Sequence, residues 1–266
     1  MPYNLSVHEY PDGSIQIRKY DEIIGQEKTK TLPEYEIEPF TNTKVRKIEN
    51  LQNREDSIQS SLGRTRRTVM EITRSYNWQW WVTLTFDPKK IDRTDFKQCS
   101  SRIRNWLANI RKRKCPDLVY LAVPELHHKN EKLYGKTWHF HLLMANCEGL
   151  QIEKSGIYKK TGKAIYNIKD WNNGFSTAIQ IEKKSNGRLS NYISKYITKD
   201  LIALSKGCQR YYISKSLPKP KKTSLLIKPD QLEEAIKNIA DSFGKEIVYI
   251  NQKIGGYVDV TYYELE

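Results

Sequence analysis

The stretch TWHFHLLMA, residues 137 to 145, sets two histidines among large apolar side chains. In a strand, successive side chains point to opposite faces of a sheet. His139 and His141 then share one face, and Trp138, Phe140 and Leu142 share the other, which requires a core. Two imidazoles two residues apart on a rigid strand make a bidentate metal seat. Partly exposed histidine pairs of the same spacing bind nothing, so a third ligand decides between the two readings.

A candidate stands just upstream. DLVYLAVPE, residues 117 to 125, reads as the preceding strand, and LHHKNEKLYGKT, residues 126 to 137, as a hairpin loop. Antiparallel pairing brings Glu125 beside the histidines. Two imidazoles and a carboxylate with open positions suit Mg²⁺ or Mn²⁺ holding a phosphate oxygen. His127 lies on the Glu125 side if the strand continues, so it competes for the third position.

Working outward, WWVTLTF (80–86) and STAIQIE (176–182) read as further strands, and RYYIS (210–214) as a fifth. One helix starts near Ser57, with Ile58, Leu62, Val69, Ile72 and Tyr76 along its seam. A second runs from a cap at Thr94 to Lys112, with Phe96, Ile103, Trp106, Leu107 and Ile110 on its apolar side. A third spans Leu189 to Leu204. Residues 148–175 form a polar excursion ending in WNNGF. Short joins between strands predict an α+β fold, an antiparallel sheet with helices on one face. The boundaries fall at an N-terminal hairpin and arm (1–54), a central domain (55–222) and a small C-terminal α/β extension (223–266). The N-terminal hairpin turns at PDG (11–13), and LPKPKK (217–222) reads as a linker.

The chain has 266 residues and a formal charge of +14, with 17 tyrosines and 6 tryptophans. That excess points to a polyanion. The four cysteines form no C-x-x-C pair, which argues against a zinc ribbon or a redox motif. No apolar run is long enough to span a bilayer, so a reduced, cytoplasmic protein without a membrane partner is expected.

NYISKYITK, residues 191 to 199, carries the second constellation. On a helix Tyr192, Lys195, Tyr196 and Lys199 fall in one stripe about 100° wide, and Ile193, Ile197 and Leu201 lie opposite. Such a stripe on its own reads as a solvated surface. A phenol titrates near 10, so it is a poor nucleophile at neutral pH. A neighbouring ammonium and a metal-bound phosphate both favour attack by its phenolate.

WVTLTF, WHFHLLM and NYISKYITK stand in the order and approximate spacing of the three motifs of HUH rolling-circle replication initiators. Over roughly residues 60–216 the chain resembles that superfamily. Its Y-x-x-K-Y-x-x-K segment is similar to that of the two-tyrosine type found in single-stranded DNA phages and rolling-circle plasmids. The resemblance implies a five-stranded antiparallel sheet with flanking helices, similar to an RNA-recognition fold. It implies that His139, His141 and Glu125 hold the metal, that Tyr192 and Tyr196 are nucleophiles, and that Lys195 and Lys199 accompany them. It further implies nicking and joining of single-stranded or hairpin origin DNA through a 5′-phosphotyrosine, leaving a 3′-hydroxyl primer in a bacterial host cell. Host polymerase would extend that primer. No G-x-x-x-x-G-K-[ST] occurs, so unwinding falls to a host helicase.

Candidate DNA contacts are Arg64, Arg66, Arg67, Arg210, Tyr211 and Lys221. The arginines of the second helix, Lys219 and Lys222 add possible phosphate contacts, and Trp78 and Trp80 possible base stacking. Relaxases of the superfamily usually carry a third histidine and an N-terminal tyrosine, and its transposases usually one tyrosine. A non-catalytic DNA- or RNA-binding protein explains the charge and the aromatics, but not the histidines and tyrosines together.

Overall fold

A computed structural model of the chain describes residues 1–25, 35–37, 44–46, 51–127, 136–182, 186–198, 201–202, 208–215, 217–253 and 258–266. The first half carries β1 (Tyr3–Glu9), β2 (Ile15–Ile24), β3 (Tyr35–Ile37), β4 (Lys44–Arg46), α1 (Leu51–Arg74), β5 (Trp80–Leu84), α2 (Phe96–Arg113) and β6 (Val119–His127). Next come β7 (Thr137–Ala145), β8 (Ile152–Tyr158), β9 (Ala164–Ile168), β10 (Ser176–Gln180) and α3 (Asn186–Ser194). The chain ends with β11 (Tyr212–Ile213), β12 (Lys221–Leu225), α4 (Leu232–Ser242), β13 (Ile247–Lys253) and β14 (Val260–Leu265). Two compact units result: residues 1–63 with 220–266, and residues 64–219.

The first unit is a five-stranded antiparallel sheet in the order β12-β1-β2-β14-β13. The N-terminal hairpin and the C-terminal strands, which the sequence presents as separate extensions, hydrogen-bond into this one sheet. A lone hairpin cannot bury its apolar face, and more strands and a helix are needed to cover it. Leu5, Val7, Ile15, Ile17, Tyr263 and Leu265 pack against Leu232, Ile236 and Ala240 of α4. The alternate residues Asn4, Ser6, His8, Gln16 and Arg18 are also buried, and they are polar. They bond to one another and to their neighbours: Arg18 Nε donates to Gln16 Oε1 at 2.7 Å, and Gln16 Nε2 to Glu264 Oε1 at 2.6 Å.

The second unit holds a seven-stranded sheet in the order β11-β6-β7-β5-β10-β9-β8, antiparallel throughout. This corrects the five-stranded expectation. The added strands, β8 and β9, form a hairpin inside the polar excursion of residues 148–175. β8 is largely exposed and β9 sets apolar side chains in succession, so neither shows the apolar alternation that marks a half-buried strand.

β7 lies near the middle, and Phe140, Leu142, Leu143 and Met144 are fully buried. Its even-numbered residues face α2, where the Phe96 and Trp138 rings lie 4.6 Å apart. Asp95 caps α2, accepting from the backbone amides of Lys97 and Gln98. Thr94, the cap expected from sequence, instead bonds Asp92 Oδ1 at 2.7 Å. The other face is covered by the α3 segment, whose Tyr192 and Tyr196 rings meet Trp81 of β5. Helical segments therefore cover both faces, not one, because the central strands are apolar on both.

The WNNGF loop packs against the chain just beyond β5. Trp171 Nε1 donates to the Thr85 carbonyl at 3.0 Å, and Thr85 N to Phe175 O at 2.9 Å. A Cβ on Gly174 would stand 2.2 Å from the Thr85 carbonyl oxygen, so only glycine permits this approach.

Candidate functional site

The register of β5, β6 and β7 assembles one patch. His139 lies opposite Glu125, and His141 lies between Val123 and Thr83. Cross-strand partners share a face, so Glu125, His139, His141 and Thr83 project together. His127, opposite Thr137, projects with them, and its ring lies 4.9 Å from that of His139. Glu125 and His127 thus both border the histidine pair; His128 lies outside the described residues.

His141 is held at both nitrogens. Its Nε2 is 2.7 Å from Glu125 Oε2, and its Nδ1 is 3.1 Å from Thr83 Oγ1. Burial alone would raise the Glu125 carboxyl, but the hydrogen bond with His141 and the neighbouring imidazoles hold it below its ordinary value. An ionised Glu125 accepts, so Nε2 donates to it, and Nδ1 accepts from the Thr83 hydroxyl. Burial, reinforced by His127, pushes His139 down to about 4. His139 is therefore a neutral imidazole at neutral pH, with a lone pair to offer.

The donor chemistry of this patch fits a divalent ion: two imidazoles, one neutralised by burial, and an ionised carboxylate on adjacent strands. Among the described residues no three His, Cys, Asp or Glu side chains already converge as a cage. The hydrogen bond between Glu125 and His141 joins two of the atoms that an ion would take. The Thr83 hydroxyl is placed to orient the other His141 nitrogen, as outer partners of metal-bound histidines commonly do.

Two tyrosines reach this patch. Tyr196 stacks on His141 with ring centroids 3.7 Å apart and planes at 21°. Tyr192 meets Tyr196 edge-on at 5.6 Å, and both touch Trp81, at 4.9 and 5.8 Å. Tyr192 is 46% exposed. Tyr196 is half-buried, and burial, a hydrogen bond with Tyr192 and the charge of Glu125 raise its phenol well above the usual value. Lys195 is exposed, with its Nζ 5.8 Å from the Tyr192 ring centre. Lys199 lies outside the described residues.

The single helix expected from Leu189 to Leu204 is interrupted: α3 ends at Ser194. Lys195 N, Tyr196 N and Ile197 N then bond to carbonyls three residues back, at 3.1 to 3.3 Å. Such tight turns satisfy the orphan carbonyls of a helix end. Arg66 Nε takes the Ile197 carbonyl at 2.9 Å. The break keeps the two tyrosines adjacent while letting Tyr196 lie flat on His141.

The candidate DNA contacts divide by location. Arg64 is exposed, Arg67 is half-buried, and Arg66 is committed to Ile197, with burial lowering its guanidinium. Arg210 donates to Thr65 Oγ1 at 3.4 Å, and Tyr211 beside it is half-buried, which raises its phenol. Lys221 belongs to the first unit, where it pairs with Glu9 at 3.0 Å. Trp78 is a core residue whose Nε1 donates to the Thr73 carbonyl, and Trp80 packs on Tyr166 at 5.1 Å. Trp81 and Thr83 are the site residues that motif reasoning passes over. The signal for both was period-two alternation on β5, which puts them on the face that meets His141.

Among the described residues no helix is long and apolar enough to cross a membrane. No curated protein and no solved structure matches the chain. Residues 79–201, less than half of the chain, match the sequence model of the family Replication-associated protein ORF2/G2P. The matched span runs from β5 to the end of the α3 segment and contains the whole histidine–tyrosine patch, which supports reading the protein as a replication initiator that works on DNA.

Proposed function

We propose that the protein is a two-tyrosine HUH endonuclease that starts rolling-circle replication by nicking single-stranded or extruded origin DNA. One observation carries this reading: two phenols, Tyr192 and Tyr196, meet the His139–His141–Glu125 patch, with Tyr196 stacked on His141 at 3.7 Å. A plain nucleic-acid binder has no use for that arrangement.

His139, His141 and Glu125 would hold a Mg²⁺ or Mn²⁺ ion, which supplies Lewis-acid polarisation of a phosphate oxygen. The chain supplies the rest. β5, β6 and β7 fix the imidazoles and the carboxylate on rigid strands. Trp81 is the platform on which both tyrosine rings rest. A tyrosine oxygen attacks the scissile phosphorus, losing its proton to solvent. The bond from phosphorus to the 3′ oxygen breaks, and that oxygen takes up a proton. The products are a 5′-phosphotyrosine and a free 3′-hydroxyl that host polymerase can extend.

Burial keeps Tyr196 a neutral phenol until positive charge stands beside it. Lys195, next in the chain and close to Tyr192, is placed to favour the phenolate and to stabilise charge on the transferring phosphate. The second tyrosine can cut a regenerated origin. The 3′-hydroxyl so released attacks the first phosphotyrosine, restoring a phosphodiester and freeing the phenol. The linkage energy is retained throughout, so no nucleotide is consumed.

The test is a cleavage assay on a pool of single-stranded DNA with Mn²⁺, followed by mass spectrometry of the protein. A covalent nucleotide adduct on Tyr192 or Tyr196, lost with EDTA, is the expected result. A protein that shifts the pool in a gel and forms neither cleavage product nor adduct is a binding module instead.

A further inference from the structure

The β8–β9 hairpin takes no part in the chemistry above, yet it is the most exposed and most basic ribbon of the second unit. Residues 152–169 contain five lysines, 154, 159, 160, 163 and 169, against the single Glu153. Lys163 pairs with Glu182 at 2.7 Å and Lys169 with Glu153 at 3.4 Å. Lys154, Lys159 and Lys160 pair with no carboxylate among the described residues.

Only the base of the hairpin is tied down. Ile168 is buried, Tyr166 rests on Trp80 at 5.1 Å, and the ladder to β10 runs through Tyr166 and Ala178. Every residue from 156 to 163 is exposed. The tip is well formed nonetheless. Lys159 N donates to Lys163 O at 2.9 Å, Gly162 N to Lys159 O at 2.9 Å, and Gly162 sits at φ 78°. This is a tight hairpin turn closed by a left-handed glycine. Two apolar side chains at the end of β8, just before the turn, stand without cover, Ile157 at 58% and Tyr158 at 61% exposure.

We propose that this hairpin binds duplex DNA, entering the major groove beside the single-stranded segment held at the histidines. The inference rests on the DNA-cleaving reading above and assigns it a second contact. A major groove admits a two-stranded ribbon, lysines along such a ribbon reach the phosphates on either side, and an apolar side chain beside its turn can touch a thymine methyl. The position is also suitable. β8 lies four strands from β7 in the sheet order, roughly 19 Å at about 4.8 Å per strand. One DNA can therefore span both places, with its stem starting about half a helical turn from the cut.

The test compares a stem-loop oligonucleotide, with a stem of roughly one turn, or about 10 base pairs, against its single-stranded arm alone. Wild type, K154A/K159A/K160A and I157S/Y158S are measured by fluorescence anisotropy over a salt series. All five positions are exposed, so folding is preserved. The lysine variant is expected to lose tenfold or more in affinity for the stem-loop. Its log–log salt slope should fall by about 0.9 for each phosphate contact removed, up to about 2.7. The I157S/Y158S variant is expected to weaken stem-loop binding with an unchanged slope. Binding and cleavage of the arm should match wild type for both variants.

If wild type binds both DNAs and cleaves the arm, but the lysine variant loses affinity for neither or for both equally, the hairpin assignment is wrong and the cleavage reading stands. If wild type cleaves neither DNA, the cleavage reading falls, and the hairpin assignment that rests on it falls with it.

Discussion

The two faces of strand β7 share a backbone and part company at the histidines. Trp138, Phe140, Leu142 and Met144 are at most 2% exposed and pack toward α2. Thr137, His139 and His141 alternate with them, and among these only His139 is accessible beyond the buried range. One face is a close-packed apolar layer. The other is apolar at Leu143 and Ala145 but polar around the histidines, where two hydrogen bonds join Thr83, His141 and Glu125 under Trp81 and two tyrosines. The difference teaches how a precise site is held. The imidazoles cannot drift because the strand that bears them is pinned from behind by large, interdigitated side chains. Damage to the front face should therefore cost chemistry first, and damage to the back face should cost stability first.

The largest effect is expected on the front. The double substitution Tyr192→Phe with Tyr196→Phe keeps both rings against Trp81 and His141 and removes only the two hydroxyls. We expect the phosphotyrosine adduct to disappear and cleavage to fall by about 10⁴-fold, about 5.5 kcal/mol of lost transition-state stabilisation. The melting temperature should stay close to wild type, checked by calorimetry alongside the adduct assay. A double variant that still forms an adduct would place the nucleophile elsewhere.

On the back face, Phe140→Ala should do the opposite. Phe140 is fully buried, and its ring lies 6.1 Å from Phe86 and 6.3 Å from Tyr212. Truncation of such a ring costs about 3–5 kcal/mol through lost burial and the cavity left behind. Urea unfolding should show a lower midpoint with the slope unchanged. The folded fraction should still cleave, because no front-face group has been touched. Cleavage lost at full folded occupancy would mean that the faces are more tightly coupled than their packing implies.

The same contrast explains what was legible in the sequence. Alternation alone places His139 and His141 on one face and Trp138 and Phe140 on the other, and antiparallel pairing of consecutive strands brings Glu125 alongside. These follow from the period of a strand. The end of α3 at Ser194 does not follow from local pattern. It depends on Arg66 reaching the Ile197 carbonyl and on Tyr196 lying against His141, which are contacts across the fold. The β8–β9 hairpin was missed because β8 is largely exposed and β9 sets apolar side chains in succession, so neither carries a strict two-residue period. The shared sheet of the first unit was missed for a third reason. Asn4 bonds both backbone groups of Ile227, some 223 positions away, and no local signal reports such a pairing.

Gly174→Ala probes the loop that packs just beyond β5. The new Cβ would stand 2.2 Å from the Thr85 carbonyl oxygen and 2.7 Å from the Asp87 amide nitrogen. Both are backbone atoms, so the loop or the end of β5 must move. We expect a loss of about 1–3 kcal/mol, read as a lower unfolding midpoint. Because Thr83 lies two residues before Thr85, a displaced β5 should also lower the cleavage rate. A variant as stable as wild type would show that the WNNGF loop is not tightly packed beyond β5.

The smallest effect is the most discriminating, because it changes one hydroxyl on the front face. In Thr83→Val the shape is nearly kept, but Nδ1 of His141 loses its 3.1 Å partner. If Thr83 serves only packing, the apolar replacement is harmless on a strand whose other face is wholly apolar. If it orients His141 for a metal, removing it should lower metal affinity or cleavage by about 10–100-fold, the usual range for the outer partner of a metal-bound histidine. Folding stability should fall by only about 1–3 kcal/mol, the cost of one buried acceptor left unpaired. The two roles separate in a manganese titration of the cleavage rate. A positioning role raises the Mn²⁺ concentration needed for half-maximal cleavage, and Thr83→Ser, which restores the hydroxyl, should bring it back. A packing role leaves that concentration where it was and makes serine, which lacks the methyl group, worse than valine.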